Sequence, residues 1–562
     1  MNPLLHDKNA EQIKQIEIIK IYSGKHCLVI DDFPEIRGSL TRLLKTFGSS
    51  HVDTAANGEE AIRACSKRKY DIVLCDYNLG SGKDGQQILE EIRHLRVLLM
   101  TSLFVIITGE SSREMVLGAL ESQPDDYITK PYTPASLKLR LDKAIVRHEA
   151  LIDIKHQISD GDYSGALDLC NEMIAAGSRY AHDILKIKAQ LHFLLKQLSD
   201  ALKVYKGVVI KKPLVWARLG MGKTLIEMGD LDGAESIFHS LIAEDSRYIE
   251  AHDLLAEIKL KKRDTAAAQK ALEDATHVSP KSVLRHRHLA QLADMNHDDA
   301  LSLKSHQQSI KWGLNSCHES EQDYFNYARK VSEMTKNNSS PETKQLVKQA
   351  EVFLGRAKKR YTNRADVTTQ AQMVETQILA AQGNVELAKA SRDLAVSMYS
   401  NLPSPPIEVS LEYARSMQAL SQDDEAHDLL TTLAARHARD PEILAAIDAI
   451  AVEPISEQGK SKTAELTREG ISFYDHKNYD QAIKTFKQAL FTYPKHMGLH
   501  LNLMQAIVAD TNEHGEKYEH EMACKHSMRA IGIVDEQHKQ FKRYRYLCKQ
   551  LKKVYPSVLL AS

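Results

Sequence analysis

At 562 residues the chain is long enough for several domains, and 43% apolar with 27% charged residues is the mixture of folded globular protein. Its 74 basic and 75 acidic side chains nearly cancel, so no chain-wide basic excess supports binding to nucleic-acid phosphates. The seven cysteines include no C-x-x-C pair, which fits free thiols in a reducing compartment better than a disulfide framework or a zinc site.

The stretch Met1 to Asp7 lacks a basic region followed by an apolar one and does not read as a signal peptide. The longest apolar run, Val97 to Ile107, is broken by Thr101 and Ser102 and is too short to cross a bilayer. A cytoplasmic protein is expected. Residues 1–24 read as a helical N-terminal extension. Over residues 25–148, short β-branched runs then alternate with amphipathic helical stretches. Cys27–Ile30 precedes a helix over Pro34–Phe47, Val52–Ala55 one over Glu59–Arg68, and Asp71–Cys75 one over Gln86–Leu95. Leu103–Ile107 precedes Ser112–Leu120, and Tyr127–Thr129 precedes Pro134–His148. Five strand–helix units predict a doubly wound, flavodoxin-like α/β domain with a parallel sheet covered on both faces.

After residue 149 strand signals stop and an internal repeat emerges. Gly229-Asp230 with Ala234 and Phe238 recurs as Arg263-Asp264 with Ala268, Leu272, Ala275 and Pro280, a step of 34 from Ala234 to Ala268. Earlier copies lie at Gly161-Asp162 with Ala166 and Cys170, and at Ala201 with Tyr205. The clearest comes late, with Gly470, Phe473, Tyr479, Ala482, Phe486, Ala489 and Pro494. Small residues let paired helices approach, an aromatic fills the gap, and Pro ends the second helix. This pattern resembles the tetratricopeptide repeat and implies an all-α solenoid over 149–300, degenerate repeats over 301–455, and further repeats over 456–562 ending in a basic capping helix. Asn337–Pro341, Asn401–Pro406 and Pro454–Lys460 read as loops.

In a doubly wound sheet, ligands bind at the carboxyl ends of the strands. The first strand here runs into Asp31-Asp32, the third into Asp76, the fourth into Thr108, and the fifth into Lys130-Pro131. Three converging carboxylates repel one another unless a cation sits among them, and such hard oxygen donors suit Mg²⁺. A lone aspartate at a strand end is usually a turn residue; five polar groups at four strand ends have no comparably bland reading.

With Leu28–Asp32, Val73–Asp76, Ile106–Glu110 and Tyr127–Pro131, residues 25–148 resemble the CheY-like receiver domain of two-component response regulators. The resemblance implies that Asp76 is the phosphoacceptor, taking a phosphoryl group from a phosphohistidine donor. It implies Mg²⁺ bound by Asp32, Asp76 and the backbone carbonyl of Asn78, with Asp31 acting through water. Lys130 would pair with the phosphoryl oxygens and precede a cis-proline. Thr108 and Tyr127 would form the switch, and Asn78 and Glu110 would tune dephosphorylation. The sequence departs from the receiver pattern at Leu79–Gly85, which lacks the usual proline and is one residue longer, so a more flexible loop is expected.

Neither a phosphate-binding loop nor a His-Glu-x-x-His motif appears, so no enzymatic output is expected beyond the receiver's own phosphorylation and dephosphorylation. The expected partners are a sensor histidine kinase or phosphotransfer protein and an unknown protein held by the repeats. Residues 539–556 are basic with interleaved aromatics; they read as a solvated cap on the last repeat, with RNA binding as the alternative. No membrane partner is expected.

Overall fold

The β-branched runs form strands β1 (His26–Ile30), β2 (His51–Ala55), β3 (Ile72–Asp76), β4 (Leu103–Thr108) and β5 (Asp126–Thr129), all parallel. The computed structural model describes residues 21–109, 124–336, 340–532 and 539–556. The sheet order is β2-β1-β3-β4-β5. Helices α1 (Pro34–Phe47), α2 (Gly58–Lys67), α3 (Gly85–His94) and α4 (Pro134–Glu149) cover it. The predicted Ser112–Leu120 helix and residues 1–20 of the N-terminal extension lie outside the described residues.

Strands β3 and β4 are buried along their whole length, which is why they read as unbroken apolar runs. One face packs Leu28, Val73 and Phe104 against Ile88, Leu89 and Ile92 of α2's neighbour α3. The other packs Val29, Leu74 and Val105 against Leu40, Leu44, Leu137 and Leu141. Tyr22, assigned by sequence to the N-terminal extension, is fully buried in this second layer and donates its hydroxyl to Asp142 at 2.9 Å.

Beyond α4 every described element is helical. A backbone device recurs along it. Gly161, Lys196, Gly229, Arg263 and His297 all have positive φ, in steps of 35, 33, 34 and 34 residues. The residue that follows opens the next helix, and Asp162, Asp230, Asp264 and Asp298 each cap it by accepting an N–H three residues on. Gly383, Ser421 and Lys477 continue the device in the later part of the chain.

The chain divides into two compact units: Met1–Ile258 with Ala271–Ser282 and Trp312–Glu319, and Lys259–Lys270 with Val283–Lys311 and Ser320–Ser562. In the first, helices Val215–Met228 and Leu231–Glu244 approach so closely that a Cβ on Gly222 would lie 2.4 Å from the Phe238 ring. The junction from α4 into helix Ile152–Ser159 is short and tied by the Arg147–Asp183 ion pair and a 2.9 Å Lys155–His148 hydrogen bond. In the second unit, a Cβ on Gly470 would similarly lie 2.4 Å from Phe486. Glu412, fully buried there, is ringed by Arg329 at 3.2 Å, Arg415 at 3.5 Å and the amides of Gln370 and Gln377. The expected Pro454–Lys460 loop is shorter than read from sequence, because Ser456 caps a helix that begins at Glu457. In the basic helix Phe541–Val554, Leu547 and Leu551 are buried and Arg543 reaches Asn502 and Gln505, while Lys542, Arg545, Lys549, Lys552 and Lys553 face solvent. Among the described residues no helix is long and apolar enough to cross a membrane.

Candidate functional site

Parallel pairing brings the strand ends into line: Ile30 pairs with Cys75, Asp76 with Ile107, and Thr108 with Thr129. The turns that follow therefore open at one edge, beside the point between β1 and β3 where strand order reverses. Asp31 is 1% exposed, Asp76 7% and Thr108 1%, so this edge is a polar pocket set into the core.

Each group is held by short-range geometry. Asp31 accepts the Phe33 N–H at 2.9 Å, and Arg37 donates to the Asp31 carbonyl at 2.6 Å. Asp76 accepts the Tyr77 N–H at 3.0 Å. A Cβ at position 85 would lie 2.6 Å from the Asp76 carbonyl oxygen, so glycine is required where α3 starts beneath the strand end. Lys130 precedes the cis-proline Pro131 and places its ammonium 3.0 Å from Asp76 and 3.4 Å from Asp31. Tyr127 lies partly buried against the cluster formed by Ile106 of β4 and Ile88 of α3. Asn78 sits in the β3–α3 loop and accepts the Gly80 N–H at 3.2 Å. Glu110 lies outside the described residues.

Burial pushes the Asp76 carboxyl above the usual carboxylate range, against the opposing pull of Lys130. Burial would lower Lys130, but Asp76 and Asp31 outweigh it and hold the ammonium above its ordinary value. Carboxylate oxygens of Asp31, Asp32 and Asp76 all lie within 4.8 Å of one another. Asp32 Oδ1 is buried without a hydrogen-bond partner. A buried, unsatisfied carboxylate oxygen facing two further carboxylates fits a divalent cation with oxygen ligands.

The β3–α3 loop, expected to be flexible, is anchored. Lys83 donates to the Asn315 carbonyl at 2.7 Å and pairs with Glu91 at 3.1 Å, while Asp84 and Gln87 form a capping box on α3. Sequence reasoning also missed Lys281, whose ammonium lies 3.0 Å from the Tyr77 hydroxyl, 5.4 Å from the Tyr77 ring centroid and 5.7 Å from that of Trp312. Tyr77 directly follows Asp76, and both contacts come from the helical part of the same compact unit. No periodic signal marks a single lysine in an inter-helix turn.

The domain is thus a doubly wound sheet with a lysine and three carboxylates at its carboxyl edge. The family model described as the response regulator receiver domain matches residues 27–142. Chemotaxis protein CheY-3 of Vibrio cholerae is 34% identical over 126 residues, covering 21% of this chain and 91% of CheY-3. The alkaline phosphatase synthesis transcriptional regulatory protein PhoP of Bacillus subtilis is 30% identical over 144 residues, 26% of this chain and 58% of PhoP. A solved CheY-like receiver domain protein from Methanospirillum hungatei is 26% identical, with 22% of this chain and 97% of that chain covered and a TM-score of 0.21. The chain therefore belongs to the response regulator receiver family, and its N-terminal domain serves phosphorylation-regulated signalling.

Proposed function

We propose that this chain is a phosphorelay response regulator whose output is its own helical array, read as tetratricopeptide repeats. An oxygen of the Asp76 carboxylate attacks the phosphorus of a phosphohistidine on a sensor kinase or phosphotransfer protein. The P–N bond breaks, and Asp76 carries the phosphoryl group as an acyl phosphate. Asp31, Asp32, Asp76 and the Asn78 carbonyl would hold Mg²⁺, which when bound offsets charge on the phosphoryl oxygens. Lys130 neutralises the same oxygens from the β5 side, Thr108 donates its hydroxyl to them, and Tyr127 follows Thr108 as the switch. Asn78 and Glu110 set the rate at which water removes the group.

The observation that carries the coupling to the array is Lys281 on Tyr77, since Tyr77 is covalently next to the phosphoacceptor. The roughly 34-residue recurrence of positive-φ turns and the glycine–aromatic fits at Gly222–Phe238 and Gly470–Phe486 support the repeat reading. Burial of Leu547 and Leu551 favours a capping role for the terminal basic helix over RNA binding. The repeats would bind a protein partner, the sensor kinase being the first to try.

The test is labelling by acetyl phosphate with Mg²⁺, in parallel with kinase affinity measured for wild type, Asp76→Ala and beryllofluoride-treated protein. Labelling should vanish in Asp76→Ala, and affinity should differ roughly 5- to 150-fold between the phosphoryl-mimic and Asp76→Ala forms. Undiminished labelling of Asp76→Ala would overturn the acceptor assignment, and three equal affinities would overturn the output assignment.

A further inference from the structure

Glu90, Cys317 and His318 bring one carboxylate, one thiol and one imidazole together, with ligand atoms all within 4.8 Å of one another. These are the three donor types that bind zinc, at bond lengths of about 2.0–2.3 Å, usually four to a tetrahedral ion. A second imidazole borders this set without belonging to it. His94 lies one turn after Glu90 on the same face of α3, and its ring packs edge-on to that of His318 with centroids 6.3 Å apart. Glu90 and His94 come from the receiver, and Cys317 and His318 from the turn after helix Asp299–Gly313; both belong to one compact unit. The cysteine spacing therefore gave no hint of such a site, because half of the donors are far away in sequence and only one is a thiol.

We propose that Glu90, Cys317 and His318 form a zinc site that clips receiver helix α3 to the helical array, with the neighbouring His94 ring turning in as the fourth donor. The supporting groups are in place. Gln86 donates to the Glu90 carboxylate at 3.0 Å, a bond that orients a ligating oxygen. Ser316 Oγ accepts the His318 N–H at 3.2 Å and donates to the Gly313 carbonyl at 2.8 Å, fixing the backbone that presents both array donors. Glu90 and Glu91 place negative charge beside Cys317. The same negative environment favours a dication, whose binding releases the thiol proton. The mixture of one sulfur, two nitrogens and one oxygen separates this site from the all-oxygen pocket at Asp76, which suits magnesium. The assignment does not depend on Asp76 accepting phosphate.

The full-length chain, untagged and stripped with a chelator, is titrated with Zn²⁺ against a chromophoric competitor, with excess Mg²⁺ filling the acidic pocket. One Zn²⁺ per chain is expected to bind, with affinity reduced at least roughly tenfold by Cys317→Ser, His318→Ala or the near-isosteric Glu90→Gln, and unchanged by Cys548→Ser. In place of zinc, Co²⁺ should give a thiolate charge-transfer band that Cys317→Ser removes. Circular dichroism checks that each variant is folded, and Glu90→Gln serves if the turn variants are not. Zinc affinity that is unmoved by Cys317→Ser and Glu90→Gln, a cobalt spectrum without the sulfur band, or uptake abolished instead by Asp32→Ala would each overturn the site.

Discussion

The Lys281–Tyr77 contact can be weighed energetically. A charge-assisted hydrogen bond contributes about 1.5–3 kcal/mol net, and the Lys281 side chain, 21% exposed, keeps part of its hydration. The ammonium also lies within cation–π range of Tyr77 and Trp312, at about 0.5–1 kcal/mol each. Its 3.9 Å approach to Asp84 adds about 0–1 kcal/mol. Tyr77→Phe removes the hydroxyl and keeps the ring, whereas Lys281→Met removes the charge and keeps most of the apolar stem. A double-mutant cycle on the two should therefore return a coupling of about 1–2 kcal/mol from the hydrogen bond alone. The chain has two tryptophans, so a Trp216→Phe background leaves Trp312 as a reporter beside Lys281. Urea unfolding followed at Trp312 gives the cycle. Beryllofluoride titration of the same variants then shows whether the contact carries the signal. Lys281→Met should shift beryllofluoride affinity about fivefold or more, since 1 kcal/mol is about that factor. A coupling below about 0.5 kcal/mol, together with an unshifted beryllofluoride affinity, would refute the route from Asp76 to the array.

Asp32→Ala should weaken Mg²⁺ binding more than Asp31→Ala, because Asp32 Oδ1 has no other partner whereas Asp31 already accepts Phe33 and Lys130; calorimetric titration giving equal losses would count against the ligand assignment. His500 is 1% exposed between the Pro494 carbonyl and Ser527, and burial lowers its pKa from 6.5 to about 4. The unfolded chain binds that proton first, so acidification from about pH 6.5 to 4 should remove up to about 3 kcal/mol of stability. The wild-type advantage over His500→Asn in urea melts should narrow across that window, and a constant gap would contradict the burial argument. Gly222→Ala should destabilise by about 1–3 kcal/mol because its methyl would meet the fully buried Phe238 ring at 2.4 Å. Gly207→Ala, on an exposed helix face with nothing within 4 Å, should instead stabilise by about 0.5–1 kcal/mol; thermal melts that move both variants the same way would refute the packing account.

The receiver and its pocket were legible in the sequence because both are written in short-range terms. Buried parallel strands demand unbroken apolar runs, and a parallel sheet brings the residue after each run to one edge, so Asp31, Asp32, Asp76, Thr108 and Lys130 could be placed from their positions alone. The recurrence of turns in the helical region was legible only where glycine or an aromatic marks it. Lys196, Arg263, His297, Ser421 and Lys477 adopt the same positive-φ turn as Gly161 and Gly229, so the geometry persists after its residue signature is lost. Fixed surroundings offset the roughly 1 kcal/mol that such a conformation costs a residue bearing a Cβ. The seat of Lys281 on Tyr77 and the meeting of Glu90 and His94 with Cys317 and His318 were decided by tertiary structure alone. These partners lie on turns and helix faces more than 200 residues apart, where no periodicity links them and only the folded path of the chain brings them together.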